Sequence, residues 1–238
     1  MHLIYQSRLL RLLALLWFSA ALLAACSQEP KQRAAFIGFL QTRVIDVKGP
    51  VLPLLTKQDR ETLGDDYAKQ YEVIQSFHQE LNQVINSPAN KLTSMGNLGS
   101  LSAIVKRRGD LQGARENLKQ LRSTLDASLA KADAARASFQ QPEDLKPVYD
   151  KAYEKSVSKP AAAFKEMLPL LDEMFASVDK VADYAEQHKE QIKMLGPIFQ
   201  VSDAKVLMEI NALIDESNKK GQAVMAAQRN FMQVINGG

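Results

Sequence analysis

Apolar residues recur at alternating steps of three and four through almost the whole chain beyond residue 31, and no stretch alternates convincingly with period two. A backbone turning about 100° per residue brings such positions onto one face, so the pattern commits the chain to helices that bury a stripe against other helices. Tyr67, Tyr71, Ile74, His78, Leu81 and Ile85 step by 4, 3, 4, 3 and 4. Leu118, Leu121, Leu125, Ser128, Ala132, Ala135 and Phe139 repeat the rhythm, and so do Met167, Leu171, Met174, Val178, Val181, Ala185, His188 and Ile192. A second row, Phe164, Leu168, Phe175 and Ala182, widens this last stripe. Ile210, Ile214, Ser217, Gly221, Val224, Gln228, Phe231 and Ile235 form a less regular stripe.

Punctuation between the stripes sets the expected elements. A first helix over 31–47 should end at Lys48-Gly49-Pro50. Thr56, with Asp59 three residues on, reads as the cap of a helix reaching Asn86 and stopped by Ser87-Pro88. Residues 89–109 are the least periodic and read as a loop carrying one short helix over 99–107, before a helix from Asp110 to Gln141-Pro142. Further helices are expected over 143–158, over 160–193 beyond Ser158-Lys159-Pro160, and from Ser202 to Ile235, with Met194–Val201 as an apolar connector around a Gly-Pro turn. Helices of about 30 residues are about 45 Å long, which favours an elongated antiparallel all-α bundle of about five to seven helices over a compact globin-like ball.

The N-terminus carries a different signal. Arg8 and Arg11 precede the uncharged run Leu12–Leu23, which has the length of a secretory apolar core and is short for a membrane span of roughly 20 residues. Leu23-Ala24-Ala25-Cys26 then places an aliphatic residue, two small residues and a cysteine in the order of the bacterial lipobox. The expected division is a lipoprotein signal peptide over 1–25, a lipidated tether over 26–31 and a single helical domain over 32–238. Cys26, the one cysteine of 238 residues, would carry thioether-linked diacylglycerol and an amide-linked acyl chain such as palmitate, which leaves no thiol for catalysis, disulfides or metal ligation. Ser27 in the following position matches, by analogy with lipoprotein sorting, delivery to the outer membrane with the body in the periplasm. Cleavage removes two of the 30 basic residues and none of the 27 acidic ones, so the working protein is nearly neutral and has no electrostatic footing for nucleic acid.

Gln32-Arg33-Ala34-Ala35-Phe36-Ile37 with Phe39-Leu40-Gln41, and Asp144-Leu145-Lys146-Pro147-Val148-Tyr149-Asp150 followed by Ala152 and Tyr153, resemble the YiaF-like family of bacterial lipoproteins. Leu54-Leu55-Thr56 and Asn82-Gln83 extend the similarity between them. The resemblance implies a helical envelope lipoprotein; the family has no assigned activity and supplies no catalytic residue.

Motifs for chemistry are sparse. His78 and His188 sit on apolar stripes without the spacing of a metalloprotease or di-iron site, no nucleophile elbow occurs, and Gly96-Asn97-Leu98-Gly99-Ser100 lacks the lysine of a phosphate loop and a strand before it. The expectation is a non-enzymatic protein with no cofactor and no metal. Lys106-Arg107-Arg108 could meet a partner or anionic headgroups, although short charge runs are usually solvated. Met194 and Phe199 in the connector, with Met167, Met174, Phe175 and Met208, could line an apolar groove, although such stripes ordinarily fill a core. Two expectations follow: a lipid-anchored module binding an envelope protein through a bundle face or the 89–109 loop, and, as the alternative, a periplasmic carrier or sensor of an apolar ligand such as a lipid.

Overall fold

A computed structural model describes residues 28–49, 52–94 and 100–236, and these form an all-α helical bundle with one small hairpin. Helix α1 covers 28–40 and runs on into a π turn, Gln41–Ile45; then come α2 (Lys57–Leu63), α3 (Asp65–Ser94), α4 (Leu101–Lys106) and α5 (Arg108–Ala137). Helix α6 (Lys146–Tyr153) passes through a second π turn (Glu154–Ser158) into α7 (Lys159–Gln187), and strands β1 (Ile192–Leu195) and β2 (Ile198–Val201) precede α8 (Ala204–Ile235). The described residues gather into two compact units, one built from 28–47, 52–72 and 140–152, the other from 48–49, 73–94, 100–139 and 153–236.

In the first unit, helix α1 already includes residues 28–31, expected as tether, because Glu29 is held there by the Tyr67 hydroxyl (2.5 Å) and by Arg33 (3.8 Å). Phe36, Leu40, Tyr71, Leu145 and Tyr149 are buried at its centre. Phe36 stacks on Tyr67 at 5.3 Å, and Phe39 meets Tyr71 edge-on at 4.9 Å. The large aromatics bring hydroxyls that need partners when buried: Tyr71 donates to the Pro53 carbonyl (2.7 Å) and Tyr149 to that of Gln70 (2.8 Å).

Thr56 caps α2 as expected. Its hydroxyl accepts from the Asp59 amide (3.0 Å) while the Asp59 carboxylate accepts from the Thr56 amide (2.9 Å), a reciprocal capping box, and Arg43 also donates to the Asp59 carboxylate (2.7 Å). The expected continuous helix to Asn86 is interrupted after Leu63. Gly64 takes φ +76° and ψ 161°, conformations open essentially to glycine, and ends one helix while Asp65 and Asp66 start the next. At its other end α3 continues past Pro88 to Ser94, where a stop was expected. A helical proline gives up one amide bond, a cost rather than a bar.

In the second unit α5, α7 and α8 run antiparallel in succession, as the ion pairs trace. Glu80 of α3 meets Lys131 of α5; Arg115 and Asp126 of α5 meet Asp172 and Lys165 of α7; Glu173 and Lys180 of α7 meet Lys220 and Glu216 of α8. In the α5–α7 and α7–α8 sets, partners descend along one helix as they climb the other. Buried Leu118, Leu121, Leu125 and Ala132 come from the expected stripe of α5, and Phe164, Leu168, Phe175 and Ala182 from the second row of α7. Phe164 packs on Phe231 of α8 at 5.6 Å.

The gap expected at Ser158-Lys159-Pro160 is absent. The π turn shifts the bonding partner of the Lys159 amide to the Glu154 carbonyl, five residues back, and Pro160 then sits at the opening of α7, where its missing amide costs little. Helix α5 likewise starts at Arg108 and absorbs Gly109. Among the described residues every buried side-chain nitrogen or oxygen has a hydrogen-bond partner, and no helix is long and apolar enough to cross a membrane.

Candidate functional site

Leu23, Ala24, Ala25, Cys26 and Ser27 lie outside the described residues, as do Gly96–Gly99. The other residues singled out from sequence, Lys106, Arg107, Arg108, Met194 and Phe199, all fall at one end of the second unit. Two segments some ninety positions apart in sequence meet there.

That end is built from α4, the C-terminal turns of α7, the hairpin and the N-terminal turns of α8. Ser100 caps α4 by accepting from the Ala103 amide (3.2 Å), and Asp203 caps α8 by accepting from the amides of Lys205 (2.8 Å) and Val206 (3.0 Å). Leu101, Val181, Ala185, Ile192, Val206 and Ile210 form a buried apolar cluster, with Ile104, Val105, Phe199 and Val201 packed against it. The 99–107 helix expected from sequence is α4, and this cluster is why so short a helix persists.

The apolar connector is a β-hairpin rather than an irregular linker. Ile192 pairs with Val201, Lys193 with Gln200, Met194 with Phe199 and Leu195 with Ile198. Gly196 supplies φ +70° at the first of two turn positions, as a type II′ turn requires, and Pro197 fills the second. Sequence reading missed the strands because each has four residues; the Gly-Pro pair flanked by apolar residues was the available signal. Side chains alternate across the ladder, so Ile192, Met194, Phe199 and Val201 share the face toward the cluster and Lys193, Leu195, Ile198 and Gln200 share the other.

The named residues have different fates. Phe199 is half-buried against the cluster, whereas Met194 at the hairpin end is exposed. Lys106 is exposed at the end of α4. Arg107 forms the joint with α5, its amide bonding the carbonyls of Ala103 and Ile104. Arg108 is drawn inward to Asp179 (3.3 Å) and to Asp183 of α7, so the basic triplet does not present three equivalent surface charges. Met167 and Met174 are half-buried on α7 and Met208 is exposed on α8.

One polar group closes the base of the hairpin. Tyr184 donates to Glu209 of α8 (2.6 Å), a bond that pushes its phenol up to about 12, with burial and the Glu209 charge adding to it. His188, at the C-terminal cap of α7, stacks on the Tyr184 ring (4.1 Å between centroids) and its Nδ1 bonds the Tyr184 carbonyl (2.9 Å). These contacts tie α7 to α8 and orient the chain entering β1. Among the described residues no cluster of three His, Cys, Asp or Glu side chains could hold a metal ion.

A family model described as "Protein of unknown function (DUF3053)" matches residues 12–232. The chain belongs to the DUF3053 family. Relatives of this DUF3053 chain include "Uncharacterized protein YiaF" of Escherichia coli (strain K12), of Escherichia coli O157:H7 and of Shigella flexneri. Each is 30% identical over 207 residues, covering 83% of this chain and 87% of the relative. The resemblance noted from Gln32–Gln41 and Asp144–Tyr153 is thereby shown. No solved structure matches the chain.

Proposed function

We propose that the protein is a bacterial envelope lipoprotein, anchored through lipid on Cys26, whose helical body is a non-enzymatic interaction module. Leu23-Ala24-Ala25-Cys26 directly after an uncharged apolar run is the observation that carries this reading. Support comes from the position of the body: helix α1 is already formed at residue 28, so an anchor on Cys26 would be coupled to a folded helix within two residues. Diacylglycerol plus an amide-linked chain provides more than one acyl anchor, and one chain alone binds only marginally. Ser27 supports delivery to the outer membrane, with the two units facing the periplasm.

Cys26→Ala tests the anchor. Acyl mass on the N-terminal peptide should be present in the wild type and lost in the variant; a wild-type protein without acyl mass would refute the reading. The interaction role is tested by crosslinking in cells from exposed positions of the hairpin end. A dominant protein adduct supports a module for an envelope partner, and lipid adducts alone favour the carrier of an apolar ligand.

A further inference from the structure

We infer that the 192–201 hairpin is a wedge that inserts into the interface of an anionic phospholipid bilayer. The inference rests on the envelope-lipoprotein reading only for placing a bilayer within reach. Turns on protein surfaces are ordinarily polar, yet here Leu195 and Ile198, flanking Gly196-Pro197, are 52% and 64% exposed, with Met194 exposed beside them. A bilayer is favoured over a protein groove by the order of chemistry along the hairpin. Leu195 and Ile198 form the tip of the outward face; Lys193 and Gln200 form the next rung on that face, about 7 Å behind at the rise of a β-strand. That order matches a bilayer interface, where apolar groups enter about 5–10 Å to the acyl boundary and cations stay level with the phosphates.

Charge and backbone agree with this occupant. From Gln191 to Ser202 the one charged residue is Lys193, so no carboxylate enters with the tip; at the base Lys189 and Lys205 are paired with Glu186 (3.4 Å) and Glu209 (3.9 Å). At the turn itself backbone donors are few, since Pro197 has no amide hydrogen. Gly196 alone contributes a turn amide. The tip stays in place because Ile192, Phe199 and Val201 anchor the hairpin base on the cluster of α4, α7 and α8.

The single cysteine makes the test direct. In the full chain carrying Cys26→Ser, a nitrobenzoxadiazole probe on Ile198→Cys reports the hairpin tip, and the same probe on Met225→Cys reports the exposed face of α8. Vesicles of phosphatidylethanolamine with a minority of phosphatidylglycerol are added, with and without brominated acyl chains. The expected result is a blue shift and bromine quenching at 198 and neither at 225. Adding Leu195→Asp should raise the lipid concentration needed for the shift by about tenfold or more, given the apolar contact it removes. A probe at 198 that stays in water on the vesicles, or a Leu195→Asp variant that inserts equally well, would overturn the wedge. A blue shift without vesicles that grows with protein concentration would assign the patch to a second copy and overturn it too. Since this protein carries no acyl chain, failure here is independent of the Cys26 reading, whose own failure is the absence of acyl mass in cells.

Discussion

Replacing single glycines by alanine should move stability in opposite directions at Gly64 and at Gly113 or Gly221. Gly64 joins α2 to α3 at φ +76° and ψ 161°, a region where any other residue is strained by about 1–3 kcal/mol. A methyl group there would also fall 2.6 Å from Cδ and Nε2 of Gln32. That clash is the smaller part, because the Gln32 amide is the end of a flexible side chain and can swing away. Against these costs, alanine restricts the unfolded chain and returns about 0.4–1 kcal/mol. The strain wins, and Gly64→Ala should destabilise the protein by about 1–2 kcal/mol. Gly113 and Gly221 lie inside α5 and α8, and an added methyl meets nothing within 4 Å at either. Each replacement should stabilise its helix by about 0.5–1 kcal/mol. Urea and thermal unfolding followed by far-UV circular dichroism resolve these changes, since 1 kcal/mol shifts the midpoint temperature of a chain this size by about 2–4 °C. A Gly64→Ala protein as stable as the wild type would refute the argument from backbone conformation, and a destabilised Gly113→Ala would refute the claim of open space.

Two further stability predictions follow from the same structure. Asp59 is held below the usual carboxylate range, first by the Thr56 amide, then by the Thr56 hydroxyl and Arg43, against an opposing effect of burial. A carboxylate whose folded pKa is depressed contributes stability that is complete above its unfolded pKa of about 3.9 and is lost as pH falls toward the folded value. Asp59→Ala should therefore cost about 1 kcal/mol near neutral pH and progressively less in acid, and a gap that widens below pH of about 4 would contradict that sign. Phe164→Ala removes a buried ring, 2% exposed, from the α7–α8 contact and should cost about 3–5 kcal/mol in denaturant unfolding. A loss under about 1 kcal/mol would mean that Phe231 closes the cavity.

Much of the helical layout was legible because burial imposes a period. The stripes of α3, α5 and α7 contributed Tyr67, Leu118, Leu125 and Val181 to the interior, and Thr56 with Asp59 marked a cap from two residue types at the right spacing. Local punctuation was less dependable. Gly64 broke the helix expected to run from Thr56 to Asn86, in the part before the stripe begins at Tyr67, while Gly109, Pro88 and Pro160 did not break theirs. The same residue type stops a helix or rides within it according to whether neighbouring backbone and side chains compensate. The hairpin was hidden for a related reason: two strands of four residues have no period to read, and they hold together through the cluster beneath them.

By itself, the sequence determined the all-α class, the family, and the motif on which the lipid-anchor proposal stands, because these are carried by neighbours along the chain: a period, a run of identities, four residues before a cysteine. Tertiary structure alone decided that the 99–107 helix and the 194–201 connector belong to one end of one unit, and that Arg108 turns inward while Leu195 and Ile198 turn out. The physical reason is that exposure is a property of what packs around a side chain. A run such as Met-Leu-Gly-Pro-Ile-Phe reads the same whether it fills a core or faces water. Only the placement of α4, α7 and α8 against one side of the hairpin leaves Leu195 and Ile198 uncovered on its other side.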